Sequence, residues 1–181
     1  MELRTTRLLL RQFREDDLDA YAAMCADPEV MRYLSADGDV LTREDAWRQM
    51  AMLLGHWQLR GFGMWAVEEL RTGRLVGRVG LHYPESWPDR ELGWALSRPF
   101  WGQGLATEAA RAAAEHAFRD LGWTHLVHLM LPDNSRPIKV AERLGSRPAG
   151  VVTVHGLEHV VYRLDATAAG TDGSSCPGSL C

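Results

Sequence analysis

Arg98-Pro99-Phe100-Trp101-Gly102-Gln103-Gly104-Leu105-Ala106-Thr107-Glu108 is the stretch whose reading decides the fold. Just upstream, Glu91 to Ser97 alternates like a strand. Just downstream, the alanine-rich run Gln103 to Leu121 reads as a helix. Leu105, Ala109, Ala113, Ala117 and Leu121 fall at i, i+4 spacing, and Gly122 is the expected stop. Small alanines let such a helix lie close to a sheet. A strand, a tight glycine turn and a helix start leave about four backbone N–H donors without intrahelical partners. The helix dipole adds partial positive charge at the same place. A phosphate or pyrophosphate suits that nest. Gly102 and Gly104 also let a ligand approach the main chain closely and tolerate positive φ. Taken alone, the turn reads equally as a plain strand-to-helix connection. It is not a Walker loop, because no Gly-Lys-Ser/Thr follows. A dinucleotide fingerprint would need a third glycine where Thr107 stands, which makes a nicotinamide-binding domain a weak reading.

Working outward, Arg7 to Arg11 reads as a short strand and Glu15 to Ala26 as a helix that Pro28 ends. Thr42 to Arg60 is a second helix, opened by a capping-box-like Thr42-Arg43-Glu44-Asp45 and closed by Gly61. Its apolar face is Ala46, Met50, Leu53, Leu54 and Trp57. Three strand-like runs follow: Met64 to Leu70, Arg74 to Tyr83 and Glu91 to Ser97. Their short turns predict an antiparallel meander. Beyond the alanine helix, Thr124 to Leu131 is strand-like and Asn134 to Leu144 is a short helix closed by Gly145. Val151 to Val154 and Val160 to Leu164 make a final hairpin about Gly156. The order predicts a mixed α/β fold: one central, mostly antiparallel sheet flanked by about four helices. The unit from Glu91 to Leu131 would make its two strands parallel neighbours. We expect one domain over residues 1–165 and a disordered tail over 166–181, where Ala, Gly, Ser and Thr dominate.

The 181 residues suit one domain with a substantial core, and 46% hydrophobic with 24% charged residues is ordinary for a soluble globular chain. A formal net charge of −4 argues against a nucleic-acid binder driven by bulk positive charge. Cys25, Cys176 and Cys181 form no disulfide framework. No apolar run approaches the roughly 20 residues a membrane span needs. These features predict a cytoplasmic protein without membrane or nucleic-acid partners.

A second motif follows the next strand: Asn134-Ser135-Arg136-Pro137-Ile138-Lys139-Val140-Ala141-Glu142-Arg143-Leu144-Gly145. Alone it reads as a capped amphipathic helix. Together with the glycine turn it resembles the GNAT superfamily of acetyl-CoA-dependent N-acetyltransferases, nearest its branch of ribosomal-protein N-terminal acetyltransferases. Trp101 to Ala109 looks like that branch's pyrophosphate motif. Asn134 to Gly145 is similar to the family's Asn-x-x-Ser…Leu-Gly-Phe motif. Leu75-Val76-Gly77 through Leu81, Trp65-Ala66-Val67 and Arg7 to Arg11 resemble its central hairpin and earlier strands. Two positions depart from the pattern: Pro137 stands where the motif has Ser, and Ser146 where it has an aromatic.

The resemblance implies acetyl-CoA wedged between two splayed parallel strands, Glu91–Ser97 and Thr124–Leu131. The pantetheine arm would pair with main chain near Ala95 and Leu96. The diphosphate would rest on Trp101, Gly102, Gln103, Gly104, Leu105, Ala106 and Thr107, with Asn134 also at the cofactor. Backbone N–H groups on the splayed strand would polarise the thioester. A primary amine, either a protein N-terminus or a small molecule, would attack directly in a ternary complex. Glu91 is the candidate catalytic base, acting through water, though it also reads as an ordinary strand-end acid. His82 and His128 read as surface or core histidines. Tyr83 and Tyr162 are candidate proton donors to the thiolate. Trp65, Trp87 and Trp94 are candidates for the acceptor cleft, although aromatics on strands more often belong to the core, and Trp87 is foremost because it lies in a loop. Arg136 and Lys139 would meet the cofactor's 3′-phosphate or form a solvated helix face. No metal is called for, and the protein is expected to be a monomer or homodimer. A different class of protein, an acyl-CoA-binding module without turnover, would also explain Pro137 and the lack of an evident base.

Overall fold

The computed structural model describes residues 1–34 and 38–166. The expected tail from Thr167 on, with Cys176 and Cys181, lies outside the described residues. The strands, in chain order, are β1 (Leu3–Arg4), β2 (Leu8–Arg11), β3 (Met64–Glu69), β4 (Leu75–His82), β5 (Glu91–Leu96), β6 (His125–Met130), β7 (Arg147–Val154) and β8 (Leu157–Asp165). They form one sheet in the order β1-β2-β3-β4-β5-β6-β8-β7. Every neighbouring pair is antiparallel except β5–β6. That parallel pair touches in register only at Glu91 and Val127, where the Val127 N–H donates to the Arg90 carbonyl at 2.9 Å. Beyond this contact the strands part, as the resemblance implied.

The four expected helices are present as α1 (Leu18–Cys25), α3 (Arg43–Arg60), α4 (Leu105–Arg119) and α5 (Ser135–Leu144). A one-turn helix, α2 (Pro28–Met31), is additional. Pro28 therefore opens a turn as well as ending α1. Its fixed φ suits a first helical position, and Asp27 Oδ1 accepts the Glu29 N–H at 3.0 Å. In α3 the Thr42 hydroxyl accepts the Asp45 N–H at 3.1 Å, and Gly61 closes the helix at φ 77°. The expected α4 is shorter at both ends. Gly104 takes φ 75° at the N-cap, so helical dihedrals begin at Leu105 rather than Gln103. The β7–β8 hairpin is longer than the valine runs suggested, and turns on His155 and Gly156 at φ 49° and 80°.

The sheet separates two layers. On one face α4 lays Ala109, Ala110, Ala113, Ala114 and Ala117 against Leu8, Leu10, Val79, Leu81 and Leu92. On the other, Tyr21, Met24 and Cys25 of α1 and Met50 and Leu53 of α3 pack on Met64, Ala66 and Ala95. Trp65 belongs to this core: its ring is fully buried and stands edge-on to Trp57 and His116 at 5.0 and 5.6 Å. It does not reach an acceptor cleft. The first helical turn is tied to the sheet by a buried ion pair. Arg11 meets both carboxylate oxygens of Asp17 at 2.7 Å and Glu68 at 2.9 Å.

Candidate active site

The glycine turn is braced from both sides. After β5 the chain makes a single 3₁₀ turn at Arg98–Phe100, then passes Trp101, Gly102 (φ 74°) and Gly104 (φ 75°) into α4. The Trp101 indole N–H donates to the Leu96 carbonyl at 2.7 Å, and the Gln103 amide to the Pro99 carbonyl at 2.8 Å. From outside, Arg7 donates to the Gln103 carbonyl at 2.9 Å and pairs with Glu108 at 2.6 Å. Glu108 also accepts the Thr5 hydroxyl at 2.7 Å. Partial burial would push its carboxyl up, but the bonds from Thr5 and Arg7 win and hold it below the usual range.

The turn's donors are free. The first bond within α4 runs from the Glu108 N–H to the Gly104 carbonyl. The N–H groups of Leu105, Ala106 and Thr107 therefore have no backbone acceptor among the described residues. The Thr107 hydroxyl is buried without a partner among the described residues. A Cβ on Gly102 would meet nothing within 4 Å, and one on Gly104 only the Arg7 guanidinium at 3.6 Å. The cradle is open to solvent and offers donors without crowding. Arg136 lies over the Trp101 ring at 4.4 Å, and Asn134 caps α5 without a side-chain bond. These residues fit a diphosphate. Ala95 and Leu96, both nearly buried, line the parting edge of β5, where the Trp101 indole already uses one lone pair of the Leu96 carbonyl.

The parting of β5 and β6 is propped by a histidine. His128 Nδ1–H donates to the Leu92 carbonyl at 2.7 Å, and its Nε2 accepts the Ser146 hydroxyl at 2.9 Å. Burial pushes this imidazole down to about 4, so it is a neutral bridge. Trp94 packs against it with ring centroids 5.0 Å apart. Both belong to the α4 side of the sheet, which removes Trp94 from the acceptor cleft.

Glu91, Gly93 and Ala95 face the other layer, opposite His82, Gly80 and Arg78 in register. The Trp87 indole N–H donates to Glu91 Oε2 at 2.9 Å. Burial raises the Glu91 carboxyl to about 7, against the pull of Trp87 and the Arg78 charge. Glu91 is half-buried and is no ordinary strand-end acid. The His82 ring stands 4.9 Å from Trp87 and stacks on His56 at 5.7 Å. Burial, then the Arg78 and His56 charges, lower His82 to about 4. Trp87 and His82 line a cavity of about 500 Å³ with Met52, Pro84, Val154 and His155. Tyr83 lies under the Arg60 guanidinium, 5.6 Å from its ring, and Tyr162 is the cross-strand partner of His128.

Sequence reasoning did not single out Arg78, the His128–Ser146 bridge or the cavity wall at Thr153–His155. The only local trace was Ser146 in place of an aromatic.

The chain matches the acetyltransferase (GNAT) domain family over residues 7–147. Protein YkkB of Bacillus subtilis is 32% identical over 151 residues, covering 80% of this chain and 84% of that protein. The uncharacterized N-acetyltransferase YoaA of the same organism is 25% identical over 151 residues, covering 83% and 85% of the two chains. An acetyltransferase structure from Agrobacterium tumefaciens superposes with a TM-score of 0.81 at 31% identity, covering 91% of this chain and 94% of that one. This protein therefore belongs to the GNAT family and is an acetyltransferase.

Proposed function

We propose that the protein is an N-acetyltransferase that moves the acetyl group of acetyl-CoA to a primary amine by direct attack in a ternary complex. The observation that carries this is the two ends of β5. At one end Glu91 stands where β5 and β6 part, with its carboxyl raised to about 7. At the other is the open glycine turn. β5 itself runs five residue steps from Glu91 to Leu96, about 17 Å of strand, and the glycine turn at Gly102–Gly104 follows after one 3₁₀ turn, which suits an extended pantetheine arm.

Acetyl-CoA supplies the acetyl group activated as a thioester. Gly102, Gln103 and Gly104 cradle the diphosphate, the N–H groups of Leu105, Ala106 and Thr107 donate to it, and Trp101 and Asn134 flank it. Ala95 and Leu96 present main chain to the arm. Glu91 takes the proton of the attacking ammonium, directly or through one water, and a group near pH 7 is poised for that exchange. RimL, a chain of the same fold at 19% identity and TM-score 0.77, was solved in complex with coenzyme A. We take residues 1–165 as the catalytic unit and place it in the cytoplasm, where a free thiol such as buried Cys25 persists.

Titration with acetyl-CoA, paired with thiol release over a panel of amines, tests this reading. Amine-dependent release supports it. Tight binding with no amine-dependent release would make the protein an acyl-CoA-binding module instead.

A further inference from the structure

Arg78 is a charged group on the Glu91 face that the proposed transfer does not use. It lies in mid-β4, with Ala66 opposite on one side and Ala95 on the other. Cross-strand partners share a face, so its side chain stands between two methyl groups. Its Nε is buried without a partner, and no carboxylate pairs with it among the described residues. Buried Arg11, by contrast, has two carboxylates. The Arg78 charge is felt by Tyr21, Cys25, His82 and Glu91, which agrees with a guanidinium between α1 and the sheet. The Tyr21 hydroxyl spends its hydrogen on Gln49 Oε1 at 2.6 Å, and so offers Arg78 only a lone pair.

A half-buried guanidinium without an anion is costly, and buried donors normally have partners. Its planar fork matches a carboxylate by two parallel bonds. The floor between the Arg78 row and the His82–Glu91 row is Gly80 opposite Gly93. No side chain rises there from either strand, and the Met64 side chain reaches over it from β3, its Cε 3.0 Å from where a Cβ on Gly93 would stand. At the far end the buried His82 Nδ1 is also without a partner among the described residues.

We propose that Arg78 receives a carboxylate of the acceptor, so that the substrate is an amine that also carries a carboxylate, its amino end at Glu91 and its carboxylate end at Arg78, lying against the Met64 side chain. This rests on reading the cleft as the acceptor site, and it narrows the acceptor to amino-acid-like molecules. A protein N-terminus has its first carboxyl tied up as an amide. It would leave Arg78 unpaired, and a site built for a polar group rejects a ligand that lacks it.

The test uses matched pairs: the N-acetyl derivatives of L-phenylalanine and L-leucine, and the corresponding α-amides. Binding is measured by calorimetry with and without coenzyme A, so that it does not depend on turnover. The acids should bind the wild-type protein at least about tenfold more tightly than the amides. Arg78→Gln should erase that difference and Arg78→Lys should keep part of it, with coenzyme A affinity unchanged in both. In thiol-release assays the free amino acid should exceed its amide in kcat/KM by a similar factor, again only with Arg78. Equal binding of acid and amide to the wild type, including no binding of either, would overturn the proposal. So would an acid preference that survives Arg78→Gln. An acid preference that needs Arg78 but comes without any thiol release would support the carboxylate site and sink the transfer reading instead.

Discussion

The indole N–H of Trp87 donates to Glu91 Oε2 at 2.9 Å, so a loop residue sets the acidity of a strand residue. Burial raises the Glu91 carboxyl and this bond opposes the rise, because it favours the ionised form. Trp87→Phe keeps the ring and removes the donor. The acidic limb of the pH–kcat/KM profile should then move to higher pH, by up to about one unit. A limb that stays in place would mean the bond does not govern the reacting group.

Glu91→Gln removes the proposed base. The wild-type kcat/KM should rise with pH and level off above about 7, where Glu91 loses its proton. The variant should lose that limb and about 10²- to 10⁴-fold in rate. Stability should change in the opposite sense. A carboxyl raised on folding stabilises the folded chain below the usual carboxylate range, and that contribution is lost as pH rises through about 7. Glutamine has nothing to ionise. Glu91→Gln should therefore melt above the wild type at pH 8, with the gap closing toward pH 5. Melting curves that track each other across this range would contradict the burial argument.

Gly104→Asn separates backbone strain from ligand contact. Gly104 sits at φ 75°, where asparagine is tolerated better than most residues. Strain should cost at most about 1–2 kcal/mol in chemical denaturation. The added side chain would stand against the Arg7 guanidinium, 3.6 Å from its Cβ, and disturb the brace that holds the turn, so coenzyme A affinity should fall at least about tenfold. Affinity that follows the wild type would remove the diphosphate from this turn.

Ser146→Ala strips the prop beneath the parting strands. His128 Nε2 would lose its partner in a buried setting, which should cost about 1–3 kcal/mol of stability. Because burial already keeps His128 neutral, the pH–rate profile should not move above pH 5. A new limb in that range would give His128 a role in proton transfer.

The glycine turn and the strands around it were legible because their signals are local. Gly102 and Gly104 both adopt the positive φ that only glycine takes cheaply, and the alanine ridge of α4 is the face that meets the sheet. The boundaries were less so: a left-handed Gly104 delays the helix to Leu105, and Pro28 starts a turn where it was expected only to stop one. What stayed hidden depends on contacts between distant residues. The His128–Ser146 bond joins a strand to the end of α5, and no periodicity announces it. Glu91 looked like a strand-end acid because its Trp87 partner comes from a loop that folds back to it. Arg78 interrupts the apolar run of β4, where a charged residue normally turns to solvent. Only the register opposite Ala95 and the layer of α1 show that it points into the cleft.

The most direct measurement is a crystal structure of the protein with coenzyme A bound. The account predicts the diphosphate on the N–H groups of Leu105, Ala106 and Thr107, and the arm along β5 past Leu96 and Ala95. It predicts the sulfur where β5 and β6 part, on the side that Glu91 and Gly93 face. A diphosphate held away from the Gly102–Gly104 turn, or a sulfur on the α4 face beside Trp94, would contradict it.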